Sequence, residues 1–464
     1  MPKSILCRCD ASAERGAGHV MRCMALAQAA RVAEIRVTFV MQQGTAELEE
    51  QLHSEGCDVV HVTAENDIHM TSAIAKEHSA EWIVVDGYTF NAEYQQSIKK
   101  AGYKVLFIDD FGHCDHYSAD IVLNQNIYAE ESFYKNRESY VNLLLGSKYL
   151  LLRQEFLLAK RDRISHQSSK NVLIIMGGFD THSVTEKVQH ALKNTGVDMR
   201  VARHVTNIPE LMTWADCAVS AAGTATYELA YMDVPIAMVI VAENQKRVAE
   251  SMAKAGYGVN LGWYKDLQDD AIRGAVAAAL LESHGTGRAT QSSLIDGYGT
   301  QRVLAELFDW KLWLRPAKEE DCRLLFEWAN DPEVRASSFS PDPVTWENHQ
   351  EWFRKKCADA NCFIFLGIDR NENPVGQVRF DIEGKFANVD VHIAPSMRRQ
   401  GVGPALIDAG IVRLFSRTGV SEVHAHIKVS NEASMRAFTK AGFEKVGKKT
   451  VKGVEVFYAV RTRL

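Results

Sequence analysis

The sequence predicts an α/β protein built as two consecutive doubly wound halves followed by a third, separate unit. Three observations carry this. Short apolar runs alternate with helical patterns over residues 1–160, the pattern of a parallel sheet wrapped by helices. A second series of the same kind starts at Val172–Met176. Near residue 310 a new strand-like run, Trp313-Leu314-Arg315-Pro316-Ala317, begins after a stretch rich in Gly, Ser and Thr. A length of 464 residues fits about three domains at ~150 residues each. We therefore divide the chain into 1–160, 161–308 and 309–464.

In the first part the strand candidates are Ile5–Cys9, Glu34–Val40, Val59–Val62, Trp82–Asp86, Val105–Asp109 and Ile121–Leu123, with helices such as Val20–Val32 and Thr45–Glu55 between them. The polar stretch Lys160–Lys170 reads as a connection. In the second part Val172–Met176, Cys217–Val219 and Ile236–Val241 are strands, and Thr224–Tyr231 and Gln245–Ala255 are helices. Two such halves imply facing domains with a cleft at the carboxyl ends of their strands, where α/β folds place ligands.

Composition narrows the function. Apolar residues make up 46% and charged residues 24%, and the formal net charge is −6. The basic footprint of a nucleic-acid binder is absent, so nucleic acid is not an expected partner. The nine cysteines are scattered without a Cys-x-x-Cys pair. Reduced thiols of a cytoplasmic protein are the expectation, with no metal. The chain opens directly on Ser4-Ile5-Leu6-Cys7-Arg8-Cys9 without a signal-peptide stretch. No run of ~20 apolar residues is present, so no membrane span is expected.

Two loops of the first 300 residues carry candidate chemistry. After the first strand come Gly16-Ala17-Gly18-His19 and then Arg22 on a helix. Glycines permit close backbone approach to a ligand, helix-start amides favour an anion, and His19 adds a group that takes a proton near neutral pH. A capping histidine without chemistry fits the spacing equally well. In the second half Ser220-Ala221-Ala222-Gly223-Thr224 joins a strand to a helix carrying Glu228. Small residues and free amides suit a diphosphate, and a carboxylate one turn on can accept from ribose hydroxyls. The alternative is a packed turn with a solvated Glu228. Glu243-Asn244-Gln245 follows, where Asn244 as an ordinary N-cap is the competing reading.

Together these pieces resemble the UDP-sugar hydrolases of the pseudaminic acid pathway, of the GT-B superfamily, over roughly residues 3–300. The resemblance rests on Arg8-Cys9-Asp10-Ala11-Ser12, Gly16-x-Gly18-His19-x-x-Arg22, Val85-Asp86-Gly87-Tyr88, Ile108-Asp109-Asp110, Leu123-Asn124-Gln125-Asn126, Tyr149-x-x-x-Arg153-x-Glu155-Phe156, Gly177-Gly178-Phe179-Asp180, the stretch Gly223 to Glu228, and Asn244-Gln245. It implies a GT-B-like pair of Rossmann-type domains. It implies catalytic roles for His19, which assists or orients a water, for Tyr88 on the sugar side and for Asn244. It implies substrate contacts from Gly16, Gly18, Arg22, Gly223, Thr224, Glu228 and Gln245. The implied substrate is UDP-2,4-diacetamido-2,4,6-trideoxy-β-L-altropyranose, cleaved at the anomeric C–O bond with release of UDP.

The last unit carries Asn388-Val389-Asp390-Val391-His392-Ile393 followed by Arg398-Arg399-Gln400-Gly401-Val402-Gly403-Pro404-Ala405. Glycines let such a loop wrap a diphosphate, and amides at the helix start bind it. Val429-Ser430-Asn431-Glu432-Ala433-Ser434 through Phe438-Thr439-Lys440-Ala441-Gly442-Phe443 lies downstream. The two elements resemble the coenzyme-A-binding signature of GNAT N-acyltransferases over about residues 311–464. The resemblance implies acetyl-CoA as co-substrate, held by Arg398, Arg399, Gln400, Gly401, Val402, Gly403, Asn431 and Ser434. Phe438 stands where many relatives have the tyrosine that protonates the leaving thiolate, leaving Ser434, Tyr458 or solvent for that role. Trp328–Arg335 and His349-x-x-Trp352-Phe353 are similar to the acceptor side of the pathway's N-acetyltransferase. Here a core Trp352 and a capping Asp331 compete with functional readings, and His392 reads equally as a buried structural residue or a base.

The combined expectation is a bifunctional enzyme acting on UDP-linked amino sugars. It would acetylate a 4-amino precursor and then hydrolyse the product. A glycosyltransferase, a hydrolase of a related nonulosonic acid precursor, and a binding module joined to a GNAT domain with another acceptor are the competitors. Release of free sugar without an acceptor separates the first, and turnover separates the last. The sequence leaves the oligomeric state open.

Overall fold

In a computed structural model of the chain, residues 3–11, 17–160, 170–177, 180, 182–203, 207–284 and 295–463 are described. Gly16, Gly178, Phe179 and most of the stretches 160–170 and 284–300 singled out above lie outside the described residues. The protein divides into two compact units, 1–303 and 304–464.

The first unit holds two parallel sheets. One contains β1 (Ser4–Cys9), β2 (Arg36–Met41), β3 (Asp58–His61), β4 (Trp82–Asp86), β5 (Lys104–Ile108), β6 (Ile121–Asn124) and β7 (Asn142–Leu145), in the order β3-β2-β1-β4-β5-β6-β7. The other contains β8 (Asn171–Ile175), β9 (Asp198–Val201), β10 (Cys217–Ala221), β11 (Ile236–Ile240) and β12 (Gly258–Trp263), in the order β12-β11-β10-β8-β9. Central strands such as β4, β10 and β11 are buried at every position. This is why they read as unbroken apolar runs: helices cover both faces of a parallel sheet. Each order reverses once, between β1 and β4 and between β8 and β10, and these reversals are the places where such sheets open a crevice. Leu150, Leu152 and Phe156 pack into the core of the second sheet, with Tyr227 and Met238.

Helix starts and stops follow local chemistry. Thr45 caps Ala46–Ser54 by accepting from the Leu48 amide at 3.3 Å, and Asn91 caps Ala92–Lys100 by accepting from the Tyr94 amide at 3.0 Å. Under the end of β1, the fully buried Arg8 guanidinium grips Asp67 at 2.6 Å and Asp10 at 2.8 Å. A buried cation survives only when paired in this way. Arg8 and Asp10, two residues of the first motif, are thus bound into a scaffold.

The second unit is one seven-stranded sheet of β13 (Trp313–Pro316), β14 (Cys362–Ile368), β15 (Pro374–Glu383), β16 (Phe386–Ile393), β17 (Glu422–Lys428), β18 (Glu444–Val451) and β19 (Val454–Thr462), in the order β13-β14-β15-β16-β17-β19-β18. It is antiparallel except for β16 and β17. Alternation is visible in β17. Val423, Ala425 and Ile427 enter the core, while His424, His426 and Lys428 take the alternate positions. Among the described residues no helix is long and apolar enough to cross a membrane.

Candidate functional sites

The first site forms at the β1/β4 reversal. The helix Gly18–Val32 follows β1 and brings His19 and Arg22 to the carboxyl ends of β4 and β5. His19 Nδ1 lies 2.8 Å from Asp86 Oδ1. Arg22 forks onto the same carboxylate, with Nε 2.5 Å from Oδ2 and Nη2 2.6 Å from Oδ1. Its Nη1 reaches Asp110 Oδ1 at 2.8 Å. Asp110 also accepts from Tyr88 Oη at 2.6 Å and from Asn126 Nδ2 at 2.9 Å. Tyr88 and His19 meet edge to face, 4.9 Å between ring centres.

The network makes His19 Nδ1 a donor. Arg22 Nη2 approaches His19 Nδ1 at 3.2 Å, which would suit an acceptor nitrogen, whereas Asp86 at 2.8 Å requires a donor. An ionised carboxylate can only accept, and Asp86 is ionised. Burial works to raise its carboxyl, but the Arg22 guanidinium and His19 outweigh burial and hold it below the usual range. Nδ1 therefore carries the proton, and Arg22 is committed to the two carboxylates. Nε2 has no hydrogen-bond partner among the described residues. Asp110 is likewise held low: burial opposes its ionisation, and Arg22 overrides it. Burial and the neighbouring Asp110 push the Tyr88 phenol far up, so it stays a neutral donor.

The other wall belongs to the second sheet. Gly223 starts the helix Thr224–Tyr231. A Cβ on Gly18 would stand 3.9 Å from Thr224 Oγ1, so the two predicted loops face each other. A Cβ on Gly223 would lie 3.8 Å from Gln245 Nε2, while Gln245 Oε1 accepts from the Val241 amide at 3.1 Å. Tyr227 Oη ties the halves together, donating to Asn126 Oδ1 at 3.1 Å and accepting from the Ile127 amide at 3.2 Å. Glu228 is half-buried and pairs with Arg153 at 3.5 Å. Burial raises its carboxyl despite that partner. Asn244 is exposed and makes no hydrogen bond to the described residues. It does not cap the following helix, whose N-cap is Gln245, and His19 caps nothing either.

The structure thus unites His19, Arg22 and Tyr88, and sets Gly18 beside Thr224 and Gly223 beside Gln245. Sequence reasoning gave no site role to Asp86, Asp110 and Asn126, the groups that orient the others. The available signal was an acid or amide at or just after the ends of three successive parallel strands.

The second site lies in the second unit. β16 and β17 pair only through Phe386–Asn388, although both strands run on, so a wedge opens between them. Towards its mouth Gly401, in a left-handed conformation (φ +76°), starts the helix Val402–Phe415. A Cβ on Gly403 would stand 3.7 Å from the Ala437 Cβ, so this helix and Glu432–Lys440 pack side by side. Asn431 caps the latter through the Ser434 amide at 3.0 Å. The unpaired amides at Val402 and Gly403 suit an anion. Arg399 and Gln400 are exposed, and the Gln400 carbonyl accepts from Lys311 Nζ at 2.9 Å. Arg398 pairs with Asp331 at 2.5 Å, and Asp331 caps Pro332–Ser337.

On β15 and β16, His392 Nδ1 is 3.1 Å from Gln377 Nε2, and its Nε2 is 3.6 Å from Asp390. Burial pushes the imidazole down, Asp390 opposes, and Arg379, Arg335 and Arg398 add to the fall. His349 is buried among Phe326, Trp346, Trp352 and Phe353, and Trp352 is half-buried with the Arg379 guanidinium 5.2 Å over its ring. Phe438 is a core residue edge-on to Phe443. Tyr458 pairs with His426 across β17 and β19.

Residues 311–444 match the acetyltransferase (GNAT) domain family model, and residues 145–292 match that of the glycosyltransferase family 28 C-terminal domain. An uncharacterized protein of Methanocaldococcus jannaschii is 22% identical across 96% of this chain and 97% of its own length. The UDP-2,4-diacetamido-2,4,6-trideoxy-beta-L-altropyranose hydrolase of Campylobacter jejuni is 23% identical over 55% of this chain and 98% of its own length. The spore coat polysaccharide biosynthesis protein SpsG of Bacillus subtilis is 26% identical over 65% and 96%. The chain is an enzyme that joins a GT-B-like hydrolase-type part to a GNAT acyltransferase domain.

Proposed function

We propose that the chain acetylates the 4-amino group of a UDP-4-amino-4,6-dideoxy sugar with acetyl-CoA and then hydrolyses the resulting UDP-2,4-diacetamido-2,4,6-trideoxy-β-L-altropyranose. The observation that carries the hydrolytic half is His19 with Nδ1 bound to Asp86 and Nε2 without a partner among the described residues, at the strand-order reversal and next to Gly18, which lies against Thr224 at the start of the second-half helix. Water attacks the anomeric carbon, the C–O bond to UDP breaks with inversion, and His19 Nε2 takes the water proton. Asp86 stabilises the imidazolium so formed, as a carboxylate behind a catalytic histidine does. UDP is already a good leaving group, so a positioned water and anion-binding amides suffice. Gly18, Gly223, Thr224 and Gln245 would surround the diphosphate, and Glu228 the ribose.

In the second unit the acceptor nitrogen attacks the thioester carbonyl and the C–S bond breaks. The amine proton must leave, and the thiolate must gain one. His392, 3.6 Å from Asp390, is a candidate for the first task. Phe438 has no proton to give, so Tyr458, Ser434 or solvent serves the second. Incubation with acetyl-CoA and a panel of UDP-amino sugars, read by NMR, tests both halves. Release of UDP only when a sugar or lipid acceptor is added would establish a glycosyltransferase instead.

A further inference from the structure

Next to His19 the first site carries an exposed aromatic pair whose rings take no part in the proton transfer to His19. Tyr88 is 44% exposed and Phe111 39%. Their ring centres are 5.4 Å apart. Exposed large apolar side chains are few among the described residues; these two touch each other, and one of them touches the reacting histidine. Contiguous apolar surface left open to water marks a contact surface.

The pair is also held firmly. The Asp109 carboxylate accepts from the Phe111 amide at 2.8 Å and the Gly112 amide at 2.9 Å. Gly112 turns at φ +77°, where a Cβ would meet the Phe133 carbonyl at 2.8 Å. Behind the pair stands His113, its ring 5.7 Å from Phe111 and 5.8 Å from Tyr88. His113 Nε2 donates to the Phe90 carbonyl at 3.0 Å, and Nδ1 pairs with Asp109 at 3.3 Å. Polar bonds on one side therefore present an apolar face on the other.

We propose that Phe111 and the ring of Tyr88 form a wall that selects a 6-deoxy sugar over one bearing a hydroxyl at C6. The proposal rests on the sugar-nucleotide reading of this site. The wall adjoins the histidine that meets the anomeric carbon, so it borders the sugar and not the base at the far end of the diphosphate. It offers no polar partner: phenylalanine has none, and the Tyr88 hydroxyl is spent on Asp110 at 2.6 Å. A methyl group there gains burial. A hydroxyl there loses water without replacement, which an apolar site penalises by up to about a hundredfold.

The test uses the full chain. UDP release is measured from UDP-2,4-diacetamido-2,4,6-trideoxy-hexose and from its 6-hydroxy counterpart, with UDP affinity as the control for an intact site. The wild type should prefer the 6-deoxy sugar by about 10- to 100-fold in kcat/KM. Phe111→Leu should keep most of that preference, and Phe111→Asn, similar in size but polar, should bring the ratio close to one. Equal ratios in wild type, Leu and Asn forms that bind UDP normally would overturn the wall. No UDP release by the wild type from either sugar would overturn the hydrolase reading itself. An Asn form that no longer binds UDP leaves the decision to Leu against wild type: there, a wild-type preference below threefold overturns the proposal and a preserved large one supports it.

Discussion

His19 and Asp86 stand 2.8 Å apart at the ends of neighbouring elements, and Arg22 clamps the carboxylate from behind. The carboxylate thus has two tasks, orienting the imidazole and neutralising a buried guanidinium.

Those tasks separate by mutation. His19→Gln should lower hydrolytic kcat by about 10²–10⁴-fold with UDP affinity little changed. Asp86→Asn should lower kcat as well and also destabilise the first unit, because Arg22 loses a charged partner in a buried place. Thermal melts beside kinetics read the difference. Normal turnover in His19→Gln ends its assignment as the proton acceptor.

Glu228 should act on binding rather than turnover. Glu228→Ala should weaken UDP by about 1–3 kcal/mol, the worth of a hydrogen bond to a charged group. Burial already raises its carboxyl, so this contribution should be lost as pH falls while ordinary carboxylates are still ionised. Calorimetric titration of UDP across mildly acidic pH should show the loss in wild type and a flatter profile in Glu228→Gln. Identical profiles would remove Glu228 from the site.

Much of this was legible in the sequence because fully buried parallel strands betray themselves. Trp82–Asp86 and the helix Thr224–Tyr231 were read at the same bounds that the structure shows. The strands Asn142–Leu145, Asp198–Val201 and Gly258–Trp263 were not read. All three lie at sheet edges, where half-exposed positions admit polar residues, and Gly258 and Gly262 interrupt the last. His19, Arg22 and Tyr88 stood out by motif. Asp86 and Asp110 stood in the same motifs but drew no role, because a carboxylate ending a strand looks like any turn acid until Arg22 crosses 64 and 88 residues of sequence to meet them.

The platform under Phe111 should respond to alkaline pH. Burial works against the His113 imidazolium, but Asp109 outweighs it and holds the pKa up at about 10, against about 6.5 for a free histidine. A raised folded pKa means stability fully present below about pH 6.5 and lost as pH climbs through about 10. The melting temperature of the first unit should therefore fall between pH 7 and 10. In His113→Asn it should start lower and change less over that window. A wild-type profile no steeper than that of the variant would contradict the ion pair.

The two glycines of the second unit should fail differently. Gly401 is left-handed at φ +76°, and a Cβ there would press on Lys311 Nζ at 3.0 Å. Gly401→Val should thus strain the loop itself and lower the stability of the unit as well as acetyl transfer. Gly403 has ordinary dihedral freedom, and its added Cβ would find Ala437 at 3.7 Å and Ile393 at 3.9 Å, both normal contacts. The protein has room for that methyl group, so any loss comes from the ligand that the amides serve. Gly403→Ala should melt like wild type and release UDP from the diacetamido sugar at the wild-type rate, while its KM for acetyl-CoA rises at least tenfold. An unchanged KM would mean that the diphosphate does not approach this turn. A drop in melting temperature equal to that of Gly401→Val would mean that Gly403 serves the packing of its helix against Ala437 instead.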